Sequence, residues 1–342
     1  MQQTTNPAPT IHRAATPADF VAVVPTLLGF HPEQSVVLVP FGGRGSLGAA
    51  RFDLPRGDPS VPAELIVATM AQHVVADSVR VVVYSRGALP ESGPLPEAAL
   101  VRVLLRTLNA RGFEAHEAWL VAADGWIGYS EPNERRRGLE ELANAAARLA
   151  PGAPVIRSVA ERATLPELDP AEVTAVRVEV DALLDRHPDA ELLETDRIRA
   201  LTAIRRVANG GVLPSAAVLA RIVVLVQRQD RRRDVLLAAV WAGDHRARAR
   251  MARPPVQRME RVIALAGHVA ACAAESEAAG TLAFLAIVHW AFGQGSVAGV
   301  LIDRALQSAP RDPDLRALWQ TLSDGAVPPW VRLSEDADAA AG

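Results

Sequence analysis

A chain of 342 residues, 49% apolar and 22% charged, has room for two domains with cores of their own, and its net charge of −3 supplies no global field to draw it onto nucleic acid or an acidic membrane. All 36 basic residues are Arg, so chemistry that needs a Schiff-base or P-loop Lys is excluded, although a GC-rich coding bias accounts for the missing Lys more simply. The single Cys272 excludes an internal disulfide and a multi-cysteine zinc site, and its Ala-rich setting suits a buried, inert thiol.

Residues 1–15 read as a disordered tail without the basic and apolar regions of a signal peptide. Thr16-Pro17-Ala18-Asp19 is a helix start, with a Thr cap, Pro at the first position and an acid in the first turn. That helix runs to Leu28 and stops at Gly29, with Pro25 able to kink or split it. Val36 to Phe41 reads as a buried strand, and the turn Gly42 to Gly48 leads into Ala49 to Leu54, whose alternation places Ala50, Phe52 and Leu54 on one face. A helix over 62–75, a β-branched strand over Val79 to Tyr84 and a helix over 96–109 follow. Ala118 to Ala122 and Trp126 to Tyr129 form a second hairpin around Asp124-Gly125, before a helix over 135–149. This order predicts an α/β domain over 16–160 with a mixed sheet of about five strands, Val79 to Tyr84 running parallel to a neighbour.

Composition shifts after Pro151-Gly152-Ala153-Pro154, and no strand is expected from about Asp169 onward. Helices are predicted over 170–186, 190–208, 214–228, 230–242, 255–274, 280–292, 296–309 and 312–324, punctuated by Gly210-Gly211, Gly243, Pro254-Pro255 and Pro310. They make an all-α domain over 165–330. Ala283, Ala286 and Trp290, then Ala298, Leu301, Ala305 and Leu306, have the spacing of a tetratricopeptide-like helical hairpin, and 331–342 is an acidic tail expected to be mobile. The most apolar windows fall short of the ~18 residues of a membrane span, so a cytoplasmic protein without a membrane partner is expected.

Five stretches resemble the actinobacterial domain of unknown function numbered 4192. They are Leu27-Leu28-Gly29-Phe30-His31-Pro32 with Ser35-Val36-Val37; Arg51-Phe52-Asp53-Leu54-Pro55; Arg80 to Tyr84; Ala118-Trp119-Leu120 with Gly125-Trp126 and Tyr129-Ser130; and the helical pair Ala286 to Pro310. The resemblance spans nearly the whole chain and implies its fold and an intracellular setting rather than a chemistry. Relatives often carry cysteines just after the aromatic hairpin. Here that place reads Glu131-Pro132-Asn133-Glu134-Arg135-Arg136-Arg137, so no metal or redox role is implied.

Candidate chemistry is thin. Gly43-Arg44-Gly45-Ser46-Leu47-Gly48 matches a dinucleotide fingerprint in letters but leads into a strand, so the helix N-terminus that would hold a pyrophosphate is missing and a hairpin loop is the plainer account. His31, Glu33 and Ser35 could form a base and nucleophile, or merely build the turn before the strand. Asp53 and Arg51 could contact a ligand at a strand end, or simply pair with each other. Trp126 could stack on a ligand, or lie under a covering helix. The histidines lack metal-ligand spacing, no metal or cofactor is expected, and His73, His268 and His289 read as core or interface residues.

The run 228–261 is dense in Arg: Arg231, Arg232, Arg233, Arg246, Arg248 and Arg250 lead a ridge suited to phosphates or an acidic partner, or form a solvated face. Three functions stay open. The first is a non-enzymatic interaction, regulatory or scaffold protein binding a protein partner or itself through its helical domain. The second is a hydrolase or transferase with its site near the first hairpin. The third is a contact of the Arg ridge with nucleic acid or an acidic partner.

Overall fold

The computed structural model describes residues 14–43, 45–72, 74, 76–129, 135–151, 156–187, 192–251, 254–326 and 328, with the side chains of Gln229 and Arg233 left out. The expectations for the two tails, for His73 and for the breakpoint at 152–154 fall largely or wholly outside them. Two compact units divide the chain, Met1–Arg162 and Ala163–Gly342.

The first unit opens with α1 (Pro17–Leu28). Thr16 Oγ1 accepts from the Asp19 amide and the Asp19 carboxylate accepts from the Thr16 amide, both at 3.1 Å, a reciprocal cap that meets two of the helix's orphan donors. Gly29, at φ 77°, ends the helix in the left-handed conformation, whereas Pro25 lies within it without splitting it. Next come β1 (Ser35–Gly42), the two-residue β2 (Gly45–Ser46), β3 (Ala50–Asp53), α2 (Ser60–Ala71), β4 (Ser78–Tyr84), α3 (Ala98–Ala110), β5 (Ala118–Ala122), β6 (Gly125–Gly128), α4 (Leu139–Leu149) and the short α5 (Val159–Arg162).

The sheet order is β2-β1-β4-β5-β6, with β3 beside β1 on the β2 side. β1 runs antiparallel to β3 and β4, β4 runs parallel to β5 across the α3 connection, and β5 and β6 are an antiparallel hairpin. Both faces are covered, which is why Val36 to Phe41 of β1 and Val81 to Tyr84 of β4 read as apolar runs. Val36, Leu38, Val81, Val83 and Leu120 pack with α2 and α3 through Ile66, Val67, Leu100 and Leu104. Residues of the other parity, Val37, Val39, Val82, Trp119, Val121 and Trp126, pack with Phe20, Val21 and Val24 of α1 and Leu142 of α4.

Asp19 ties these two helices together through an ion pair with Arg148. Burial would push the Asp19 carboxyl up, but hydrogen bonds from Ala15, Thr16 and Arg148 outweigh it and hold the group below its ordinary value. α4 begins four residues later than the predicted 135 because Arg137 is taken by the sheet. Its amide donates to Trp126 O at 3.1 Å, and its carbonyl accepts from the Trp126 amide at 2.9 Å.

In the second unit every regular element among the described residues is a helix. They are α6 (Pro170–Arg186), α7 (Glu194–Ala208), α8 (Ala216–Leu225), α9 (Gln229–Trp241), α10 (His245–Ala249), α11 (Val256–Cys272), α12 (Glu275–Ala291), α13 (Gly295–Ser308) and α14 (Pro313–Ser323). Asp169 and Asp312 cap α6 and α14, each followed by Pro at the first position. α12 starts at Glu275 instead of the predicted 280, since Glu277 reaches back to the Ala274 amide at 3.1 Å and initiates it earlier. Gly280 therefore lies inside the helix, where α12 meets Gln227. A Cβ there would sit 2.2 Å from Gln227 Oε1 and 3.0 Å from its Cα. Among the described residues, no helix is long and apolar enough to cross a membrane.

Candidate functional site

The sheet end formed by the start of β1 gathers most residues of the first candidate set. Arg51 Nη2 donates to Asp53 Oδ1 at 2.5 Å and reaches Glu33 O at 3.4 Å. The Glu33 carboxylate accepts from Arg86 Nε at 3.1 Å and Nη2 at 2.7 Å. Asp53 is exposed and Ser35 fully buried. The His31 ring stands edge-on to Tyr84 at 5.6 Å, and its Nδ1 lies 3.1 Å from Pro32 O. Ser35 Oγ has no hydrogen-bond partner among the described residues, so His31 is not placed as its base.

Register places Asp53, Ser35, Tyr84, Val121 and Trp126 in one row across the sheet, on the α1 side. Ser35 Oγ, Tyr84 OH, Trp126 Nε1 and the nearby Arg51 Nε are all buried without a partner among the described residues. Burial pushes the Tyr84 hydroxyl far up, keeping it protonated. Trp126 is 1% exposed with the Arg137 guanidinium 4.7 Å over its ring, so the ring is packed and its face already occupied.

Open space lies in the helical unit. A cavity of about 230 Å³ is lined by Arg197, Leu201 and Arg205 of α7, by Asp234, Leu237, Ala238 and Trp241 of α9, and by Gly243, Asp244, His245 and Arg248 around α10. The α7 residues recur every fourth position and the α9 residues at three and four, so each helix gives one stripe. Just after the α9 stripe the chain turns sharply into α10. Ala242, at φ 48° and ψ 34°, and Gly243, at φ 89°, take successive left-handed conformations. For Ala this costs about 1–2 kcal/mol, a strain that the surrounding packing must hold in place.

Charges in the cavity are unevenly spent. Arg197 is clamped by Glu194, with Nη2 2.7 Å from Oε1, and lies 3.4 Å from Asp234, which Arg231 also approaches at 3.8 Å. Asp244 accepts from the amides of Arg246 and Ala247 at 3.0 and 2.9 Å. The Ala247 bond above all holds its carboxyl below the usual range, with the Arg246 amide and the Arg258 and Arg246 charges adding to it against burial. Both acids are thus occupied. Arg205 and Arg248 are exposed, and among the described residues no carboxylate lies within ion-pair distance of either.

The Arg run divides accordingly. Arg232 is 4% exposed and donates to Val226 O at 2.7 Å and Gln227 O at 3.0 Å, so it belongs to the core and not to a surface ridge. Arg258 donates to Val240 O and Arg261 to Ala208 O, joining α11 to the ends of α9 and α7. Arg231 pairs with Asp230 and Asp234. Arg246 and Arg250 are exposed outside the cavity, Arg248 lines it, and the Arg233 side chain and Arg253 lie outside the described residues.

The family model described as Domain of unknown function (DUF4192) matches residues 17–329. The chain belongs to this family. No curated protein and no solved structure matches it. In this DUF4192 chain the motif Leu27 to Val37 forms the end of α1, its Gly29 stop and the entry to β1, and Arg51 to Pro55 forms the last three residues of β3 and the two that follow. Among the described residues, no group of three His, Cys, Asp or Glu could hold a metal ion. Sequence reasoning missed Arg197, Arg205, Trp241 and His245 as partners in one cavity. The four-residue spacing of Arg197, Leu201 and Arg205 was the available signal, but it does not say which helix the stripe faces.

Proposed function

We propose that this DUF4192 chain is a non-enzymatic interaction protein whose helical unit carries the binding surface, with the α/β unit as scaffold. Its binding surface is the cavity between α7, α9 and α10, and its partner is anionic. One observation carries the reading: Arg205 and Arg248 face a cavity with an apolar wall while the acids beside them are already engaged. A guanidinium with no carboxylate to fork onto is an open site for carboxylate or phosphate oxygens. The tetratricopeptide-like pairing of α12 with α13 belongs to the same proposal, as a frame for helix-on-helix recognition, and so does an intracellular location.

The two other readings find less support. A hydrolase or transferase site would use His31, Glu33, Ser35, Arg51 and Asp53, but Glu33 and Asp53 are paired with Arg and Ser35 is buried. A nucleic-acid ridge loses Arg232, Arg258 and Arg261 to backbone carbonyls. Calorimetric titration of the full chain with sulfate, citrate and an oligoglutamate peptide tests the proposal. Saturable binding that weakens with salt and is lost in the R205Q/R248Q double variant is expected. Absence of binding to all three at low salt, or full binding by the double variant, would overturn it.

A further inference from the structure

The ligand's chemistry follows from how charge and apolar surface divide the same cavity, an inference that rests on the anion reading above. We infer that the α7–α9–α10 cavity is a phosphomonoester site: Arg205 and Arg248 take the phosphoryl group, and Leu201 and Leu237, backed by the buried Ala238 and Trp241, take a small apolar body.

Two guanidiniums with no carboxylate partner among the described residues call for two negative charges close together. A phosphomonoester carries about −1.5 to −2 at neutral pH on three acceptor oxygens, while a single carboxylate brings one charge on two. Arg197 does not compete for the group, because Glu194 and Asp234 already hold it. Its charge is balanced by those carboxylates. The volume sets an upper bound on the rest of the ligand. At about 230 Å³ the cavity lies below the ~300–1,000 Å³ of drug-sized sites, which suits one phosphorylated ring or short chain.

An extended nucleic-acid backbone fits no better, since it presents phosphates along a line whereas Arg205 and Arg248 line one concavity. The backbone turn supports the assignment independently. Ala242 and Gly243 hold left-handed conformations at the cavity rim, beside the Arg205 side chain. Strain kept at a cavity rim rather than relaxed by Gly at both positions is a mark of a preorganised site.

Calorimetry on the full chain with phenyl phosphate, inorganic phosphate, benzoate and benzyl alcohol tests the inference. Saturable binding of phenyl phosphate is expected, at least tenfold tighter than inorganic phosphate or benzoate, with none of benzyl alcohol. R205Q and R248Q should each weaken it tenfold or more, while R246Q and R250Q, outside the cavity, leave it unchanged. Thermal melts of all four variants check that they fold. Phenyl phosphate binding that is absent at millimolar concentration, or retained within twofold in R205Q/R248Q, overturns the phosphomonoester site. If oligoglutamate or citrate still binds and is lost in that double variant, only the ligand class falls and the anion reading stands; if nothing binds, both fall.

Discussion

Replacing Asp196 by Asn removes a charge from the interface of α7 and α8 while keeping the side chain's shape. Asp196 is 6% exposed and accepts from Arg221 Nε at 2.7 Å, with Arg199 Nη1 farther off at 3.5 Å. A hydrogen bond between charged partners contributes about 1.5–3 kcal/mol. An acid in the first turn of a helix adds about 0.3–1 kcal/mol, and the exposed Arg199 adds under about 1 kcal/mol. Arg221 keeps a bond to Ala217 O, so it is not wholly stranded. D196N should therefore cost about 2–4 kcal/mol, a fall in melting temperature of roughly 5–15 °C for a unit of this size.

The Arg221 hydrogen bond is the main cause holding the Asp196 carboxyl below its ordinary 3.8. Since the folded value lies below the unfolded one, protonation favours the unfolded chain. The contribution is complete above about pH 4 and disappears as pH falls through the folded value. Urea unfolding followed by far-UV circular dichroism, run at pH 7 and again near pH 3, measures both effects. A D196N loss under about 0.5 kcal/mol at neutral pH, or a D196N/R221M cycle showing no coupling, would refute the reasoning.

Gly280→Ala should destabilise by about 1–3 kcal/mol in the same assay, because the new methyl meets Gln227, whose amide is held by Val223 O and Glu277 O. Ala242→Gly should instead stabilise by a few tenths to about 1 kcal/mol by releasing the left-handed strain, partly offset by the freer unfolded chain; a loss would show that the Cβ packs favourably. The Cys272 thiol, fully buried and pushed up to about 11 chiefly by that burial, should ignore a disulfide-exchange reagent in the native protein near pH 8 and react fully in denaturant; fast native reaction would contradict its placement.

What the sequence made legible is local. The Thr16-to-Asp19 cap, the Gly29 stop, the parity of Phe52 and Leu54, and the Asp124-Gly125 turn depend on neighbours within a few residues, and each forms as read. The sheet before a second half whose described regular elements are helices follows from the same signals. The boundary errors arise where a distant partner intervenes. Arg137 joins β6 rather than a helix, and Glu277 caps α12 ahead of Gly280. The cavity is a stronger case. Its three walls come from separate segments, and spacing within each cannot say which stripe faces which. Arg232 shows the same limit from the other side, since inside a run of three arginines nothing local distinguishes a core-facing guanidinium from a solvated one.

The short span in which Arg137 lies against Trp126 has a further bearing on how this protein behaves in solution. β6 is only four residues long, and its outward backbone groups at Trp126 are already satisfied by Arg137. A rim so brief, already mated at its second residue and flanked by a cation, offers no template on which another molecule could zip up its own strand. On that side, growth of the sheet from one molecule into the next is opposed by backbone groups already spent within the chain.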